Sequence, residues 1–207
     1  MNYATLVSNI DNFTEDNSSE LSASVDQIIA QAETMIFQRL PNLPCFRATA
    51  TGNLVVDTFN YTIASARMIR NVSITSSNVV SYLDHRVDSY LRDYWPNSTT
   101  TGVPIMYSTK SASTSGTVIT LAPTPSAILA YAVDYTAPEA GLSSSNTTTW
   151  VGDNAETVLL ASCLYETSAF LKDANTLTLY KQQFDEAIQL FQQEMLRDYT
   201  AEYNGGI

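Results

Sequence analysis

Apolar and polar positions alternate along this chain with two different periods. At the start, Tyr3, Leu6, Val7 and Ile10 recur at helical spacing, followed by a polar break from Asn12 to Ser19. Leu21, Val25, Ile28, Ile29, Ala32, Ile36 and Leu40 then form one stripe, which predicts a helix over 20–40. Ser18 or Ser19 is placed to cap that helix, and Pro41 and Pro44 end it. From Cys45 onward the pattern shortens into apolar or alternating runs separated by Gly, Pro, Asn and Ser, which predicts strands. The candidates are 46–51, 54–59, 68–75, 79–83, 104–109, 117–121 and 127–135, with a short helix over 87–94 and a hairpin tip at 111–116.

Helical spacing returns after the polar loop 142–149. Asp153, with Glu156 three residues later, has the form of an N-cap and capping box for a helix reaching about Leu171. The last helix, over 175–199, has the clearest stripe. Leu177, Tyr180, Phe184, Ile188, Phe191 and Met195 follow one another at three, four, four, three and four residues. Terminal helices of this kind cannot bury their stripes alone. The expected fold class is therefore α+β: N- and C-terminal helices packed as a bundle, with an inserted β-rich lobe. Residues 1–44 plus 139–207 are expected to form the bundle, and 45–138 the lobe.

Composition narrows the function. Hydrophobic residues make up 44% of the 207 positions, so a core is within reach. Charged residues are only 15%, against about 25% in an average domain. Ser, Thr and Asn supply the remaining polarity, which suits a surface destined for burial against partners. The net charge of −11 includes no basic stripe, so the footprint of a nucleic-acid binder is missing. No apolar run approaches the ~18 residues of a membrane span. Met1-Asn2-Tyr3-Ala4 does not read as a secretory leader, so a cytosolic origin is expected. Cys45 and Cys163 make no metal or disulfide motif, and Cys163 is expected in the core.

Catalytic chemistry finds few candidates. His85, the sole histidine, stands in Asp84-His85-Arg86, where adjacent strand residues point to opposite faces. It reads as a surface histidine. Asp11, Glu15, Asp16 and Glu20 lack calcium-loop spacing and read as acids around a helix start. Glu139, Asp153 and Glu156 are the one set that could hold a cation, and Gly152 opens a helix without any phosphate-loop motif. The expectation is no enzyme, no cofactor and no metal. Trp95 and Trp150 lie at element junctions and are assigned to the seam between lobe and bundle. The end of the last stripe, Met195, Tyr199 and Tyr203, and the terminal Ile207 are assigned to partner binding, as a helix docking in a groove.

A set of short strings then carries a resemblance. Thr51-Gly52-Asn53-Leu54-Val55-Val56 opens the strand region. Tyr94-Trp95-Pro96-Asn97, Thr101-Gly102-Val103-Pro104-Ile105-Met106-Tyr107 and Leu121-Ala122-Pro123-Thr124-Pro125 follow, then Thr149-Trp150-Val151-Gly152-Asp153-Asn154 and the closing helices. In order and spacing the chain resembles the head-to-tail adaptor (connector, neck) proteins of tailed bacteriophages. The resemblance implies a homo-oligomeric ring of about twelve copies in the virion neck, assembled in the host bacterial cytoplasm. It implies a portal protein gripped by the C-terminal segment and a tail nozzle or tail-tube protein on the other side. DNA would pass through the ring without specific binding, and no membrane is involved. Two rival readings use the same residues: a tail, fibre or carbohydrate-binding module, and an envelope hydrolase using Glu156 and His85.

Overall fold

The structure is a computed structural model. It describes residues 1–15, 18–112 and 115–204, with side chains described as far as Met195. The fold is α+β, and the chain divides into two compact units: Met1–Pro41 with Pro138–Ile207, and Asn42–Ala137.

The first unit is helical. α1 (Tyr3–Thr14) is capped by Asn2, whose Oδ1 accepts from the Thr5 amide at 2.9 Å, and it buries Leu6 and Ile10. α2 (Ser19–Arg39) is capped by Ser18 and buries Leu21, Val25, Ile28, Ile29, Ala32 and Ile36. These are the positions of the sequence stripe, because residues three and four apart share one helix face. α4 (Trp150–Asn154) leads into α5 (Glu156–Leu171), and a tight turn at Lys172 and Asp173 reverses the chain into α6 (Ala174–Asn204). Lys172 takes the left-handed conformation at that turn, and Asp173 Oδ1 accepts from the Asn175 amide. α5 lies at the centre, packed against α1, α2 and α6. It is therefore apolar almost all round. Two of its buried hydroxyls turn back onto their own helix: Ser162 donates to the Leu159 carbonyl at 2.9 Å and Thr167 to that of Cys163 at 2.8 Å. Among the described residues no buried side-chain polar atom lacks a hydrogen-bond partner, so this core avoids the cost of an orphaned polar group.

The second unit is built from strands. β1 (Arg47–Asn53), β10 (Ala130–Thr136), β3 (Met68–Ser76) and β4 (Val79–Tyr82) form an antiparallel sheet in that spatial order. β2 (Asn60–Ile63), β8 (Thr117–Ala122), β7 (Met106–Ser111) and β5 (Asp84–His85) form a second sheet, in which β5 joins β7 in parallel. β6 (Thr101–Gly102) and β9 (Thr124–Pro125) make a short parallel pair. Val72, Ile74 and Val133 from the first sheet share one core with Ile63, Tyr107, Ile119 and Leu121 from the second. α3 (Asp88–Tyr94) adds a smaller cluster of Leu91, Met106 and Ala122, with Trp95 against it.

Two local expectations are corrected. Asp153 is not a helix cap: it lies inside α4, which Thr149 caps by accepting from the Gly152 amide at 3.1 Å. Glu139 accepts from the amides of Trp150 and Val151, so the free donors of that helix start are satisfied from elsewhere. Residues 54–59 do not form a strand. They turn around the Tyr61 hydroxyl, which accepts from the Val55 amide at 2.8 Å and donates to the Thr58 carbonyl at 3.0 Å. The strand in this region is Asn60–Ile63 instead.

Candidate functional site

The C-terminal helix is longer than the partner it packs on. α5 has 16 residues and α6 has 31. At about 1.5 Å per residue these are lengths of about 24 and 46 Å. The stripe is buried at Phe184, Ala187, Ile188 and Phe191, and Phe191 meets the edge of the Trp150 ring at 6.4 Å between centroids. Beyond Phe191 the helical backbone continues for thirteen residues to Asn204, about 20 Å of helix. Met195, half-buried, begins this extension. Tyr199 and Tyr203 sit on its helical backbone at the spacing that continues the stripe, with side chains outside the described residues; Ile207 lies wholly outside them.

Each tryptophan makes contacts within its own unit. Trp150 packs on Phe191 in the helical unit. Trp95 packs on Leu91, Met106 and Ala122 in the β unit, stacks with Tyr94, and donates its indole N–H to the Thr100 carbonyl at 2.9 Å. Beside Trp95 is a cleft of about 220 Å³ whose charged lining is Asp88, Arg92 and Lys110. Asp88 and Arg92 pair with each other at 2.5 Å.

Glu139, Asp153 and Glu156, the set singled out for a cation, have partners inside the chain. Asp153 and Glu156 flank the Met1 ammonium at 3.8 and 3.5 Å, and that ammonium also donates to the Gly152 carbonyl. A side chain at position 152 would place its Cβ 2.6 Å from the Met1 carbonyl oxygen, so the bare glycine makes room for the N-terminal strand of chain. Glu139 is engaged at the start of α4. No group of three metal-ligating side chains gathers among the described residues. Asp16 of the first acidic patch lies outside them.

Sequence reasoning did not single out Glu33. It lies on α2, and both its carboxylate oxygens accept from the Leu142 amide, at 3.0 and 3.2 Å. Burial pushes its pKa up to about 7 against the lowering effect of that hydrogen bond, and nearby Glu139 raises it further. Burial likewise pushes the Cys163 thiol up, with the Glu33 charge adding to it, so Cys163 is a core residue rather than a nucleophile.

His85 is exposed on β5. Its ring lies 5.0 Å from that of Tyr107, and Nε2 is 3.5 Å from the Thr109 hydroxyl. Asp84 pairs with Arg86 rather than with His85. His85 and Glu156, the hydrolase pair, belong to different units.

Charge and exposed apolar surface divide sharply between the units. The β unit holds six Lys and Arg against five Asp, a formal charge of +1. The helical unit holds four against sixteen acids, a formal charge of −12. Of the sixteen exposed large apolar side chains among the described residues, twelve are in the β unit. Low charge combined with exposed apolar surface is the composition of a protein contact. Also among the described residues, no helix is long and apolar enough to cross a membrane.

A search of curated proteins finds no significant match. The family described as SU10 adaptor protein matches residues 1–205, nearly the whole chain, and the chain belongs to that family of structural phage adaptors.

Proposed function

We propose that the chain is one subunit of a head-to-tail adaptor ring that joins portal to tail in the virion neck and extends the DNA channel. The observation that carries this reading is the α6 extension, a helical backbone that runs about 20 Å past Phe191, the last buried aromatic among the described residues. In the proposed assembly this extension, with Met195, Tyr199 and Tyr203, together with Ile207 after it, docks in a groove of the portal protein. A tail nozzle or tail-tube protein meets the ring on its other side. About twelve copies close the ring by head-to-tail contacts, each using two different surfaces of the same chain. The helical unit, at −12, repels phosphate, so DNA slides past it without sticking.

The test is truncation after Arg197, with binding to purified portal rings measured by co-sedimentation and copy number by native mass spectrometry. The truncated protein keeps its far-UV circular dichroism and loses portal binding. Undiminished binding would overturn the docking assignment, and three copies per particle would favour a fibre-like assembly.

A further inference from the structure

In the first sheet of the β unit, β1 and β4 are the outer strands, and each pairs with one neighbour among the described residues. Outer strands usually carry devices that prevent another chain from pairing: an inward charge, a proline or a bulge. β4 carries none. It reads Val79-Val80-Ser81-Tyr82, every residue is exposed, and Val79, Val80 and Tyr82 are 63%, 56% and 71% exposed. Both faces of this strand are therefore open: Val80 and Tyr82 make one of them apolar, and Val79 shares the other with Ser81. β1, at the other edge, has Ala, Thr and Gly along its length and one charge, Arg47, at its start. Neither edge is protected by composition, which suits strands that receive a partner.

We infer that the β4 edge of one copy pairs with the β1 edge of the next, so that the sheet continues from subunit to subunit. This inference rests on the ring reading, since a ring needs one surface that fits a different surface on the same chain. Three observations select a second copy as the occupant. First, charge favours a contact between β units over one between helical units. Copies meeting through their helical units bring −12 against −12, whereas their β units meet at +1 each. Second, strand direction allows it. The order β1, β10, β3, β4 is antiparallel at every step and even in number, so β4 of one copy beside β1 of the next preserves the alternation. Third, the ends match. An antiparallel approach brings the end of β4 that leads to Asp84 toward the end of β1 that carries Arg47.

The experiment compares wild-type protein, Val80→Lys with Tyr82→Lys, and the charge reversals Arg47→Asp, Asp84→Arg and both together. Each is purified at full length. Ring formation is measured by sedimentation velocity and native mass spectrometry, alone and with portal rings, and folding by circular dichroism. The lysine variant is expected to lower the assembled fraction at least tenfold while keeping the fold. Each single reversal is expected to weaken assembly, and the double reversal to restore it to within about twofold of wild type. Full assembly of the folded lysine variant, or no rescue by the double reversal, overturns the edge pairing and leaves the ring intact. Should the lysine variant not fold, the reversals, at exposed positions, still decide. A wild-type protein that stays monomeric even with portal overturns the ring reading and the edge pairing with it.

Discussion

The helical unit and the β unit handle apolar residues in opposite ways. In the helical unit the stripes of α1, α2 and α6 turn inward on α5, and among the described large apolar side chains Phe13, Phe170, Leu179 and Leu190 alone stay exposed. In the β unit a common core is buried between two sheets, yet Val79, Val80, Tyr82, Tyr90, Tyr94 and Ile128 remain outside. Sixteen acids keep the first surface from meeting itself, while the second is nearly neutral. The contrast shows how one chain can carry its solubility in one unit and its association in the other. Net charge averaged over the whole chain hides this division.

The most direct way to break this contrast is a matched pair of truncations. Leu159→Ala, at a fully buried site on α5, should destabilise the protein by about 2–5 kcal/mol. Val80→Ala, on the exposed β4 edge, should change stability by less than about 0.5 kcal/mol. Urea denaturation of the two variants measures both, and equal losses would show that β4 is core. The next effect tests how tightly the β unit is built where it is not exposed. Gly116 closes the β7–β8 hairpin at φ +97°, and a Cβ there would run into the Ile63 carbonyl. Gly116→Ala should cost about 1–3 kcal/mol, read as a lowered denaturation midpoint.

The smallest effect belongs to the helical unit and depends on pH. The folded pKa of Glu33, about 7, lies above the ordinary value of 4.5. The native state therefore binds the proton more tightly than the unfolded chain. Its stabilising contribution is complete below pH 4.5 and is lost as pH rises to 7. Glu33→Gln removes that loss and can still accept from the Leu142 amide. The variant should match wild type near pH 4.5 and exceed it at pH 8 by about 1 kcal/mol, after allowing for partial exposure of the carboxylate. Thermal unfolding across this range would detect it; parallel curves would show that Glu33 is solvated.

Much of this was legible in the residues themselves. The α2 and α6 stripes announced both helices and the faces they bury, because helical periodicity is a local property. The α+β class followed from the change of period after Cys45 and its return after Thr149. The cap at Asp153 was misread because Thr149 and Glu139 satisfy the helix start first, and Glu139 reaches it across ten intervening residues. The strand at 54–59 was misread because the Tyr61 hydroxyl organises those residues as a turn. The end of α6 was marked by spacing alone, and its length beyond α5 appears only when the two helices are laid side by side.

By itself, then, the sequence determined where the long helices lie and which of their faces are apolar. Only the tertiary structure decided that β4 is an outer strand, that Glu33 is a buried carboxylate, and that Glu139, Asp153 and Glu156 are engaged within the chain. The physical reason is range. A helix stripe is set by neighbours three and four residues away, whereas strand order and burial depend on contacts between residues far apart in the chain.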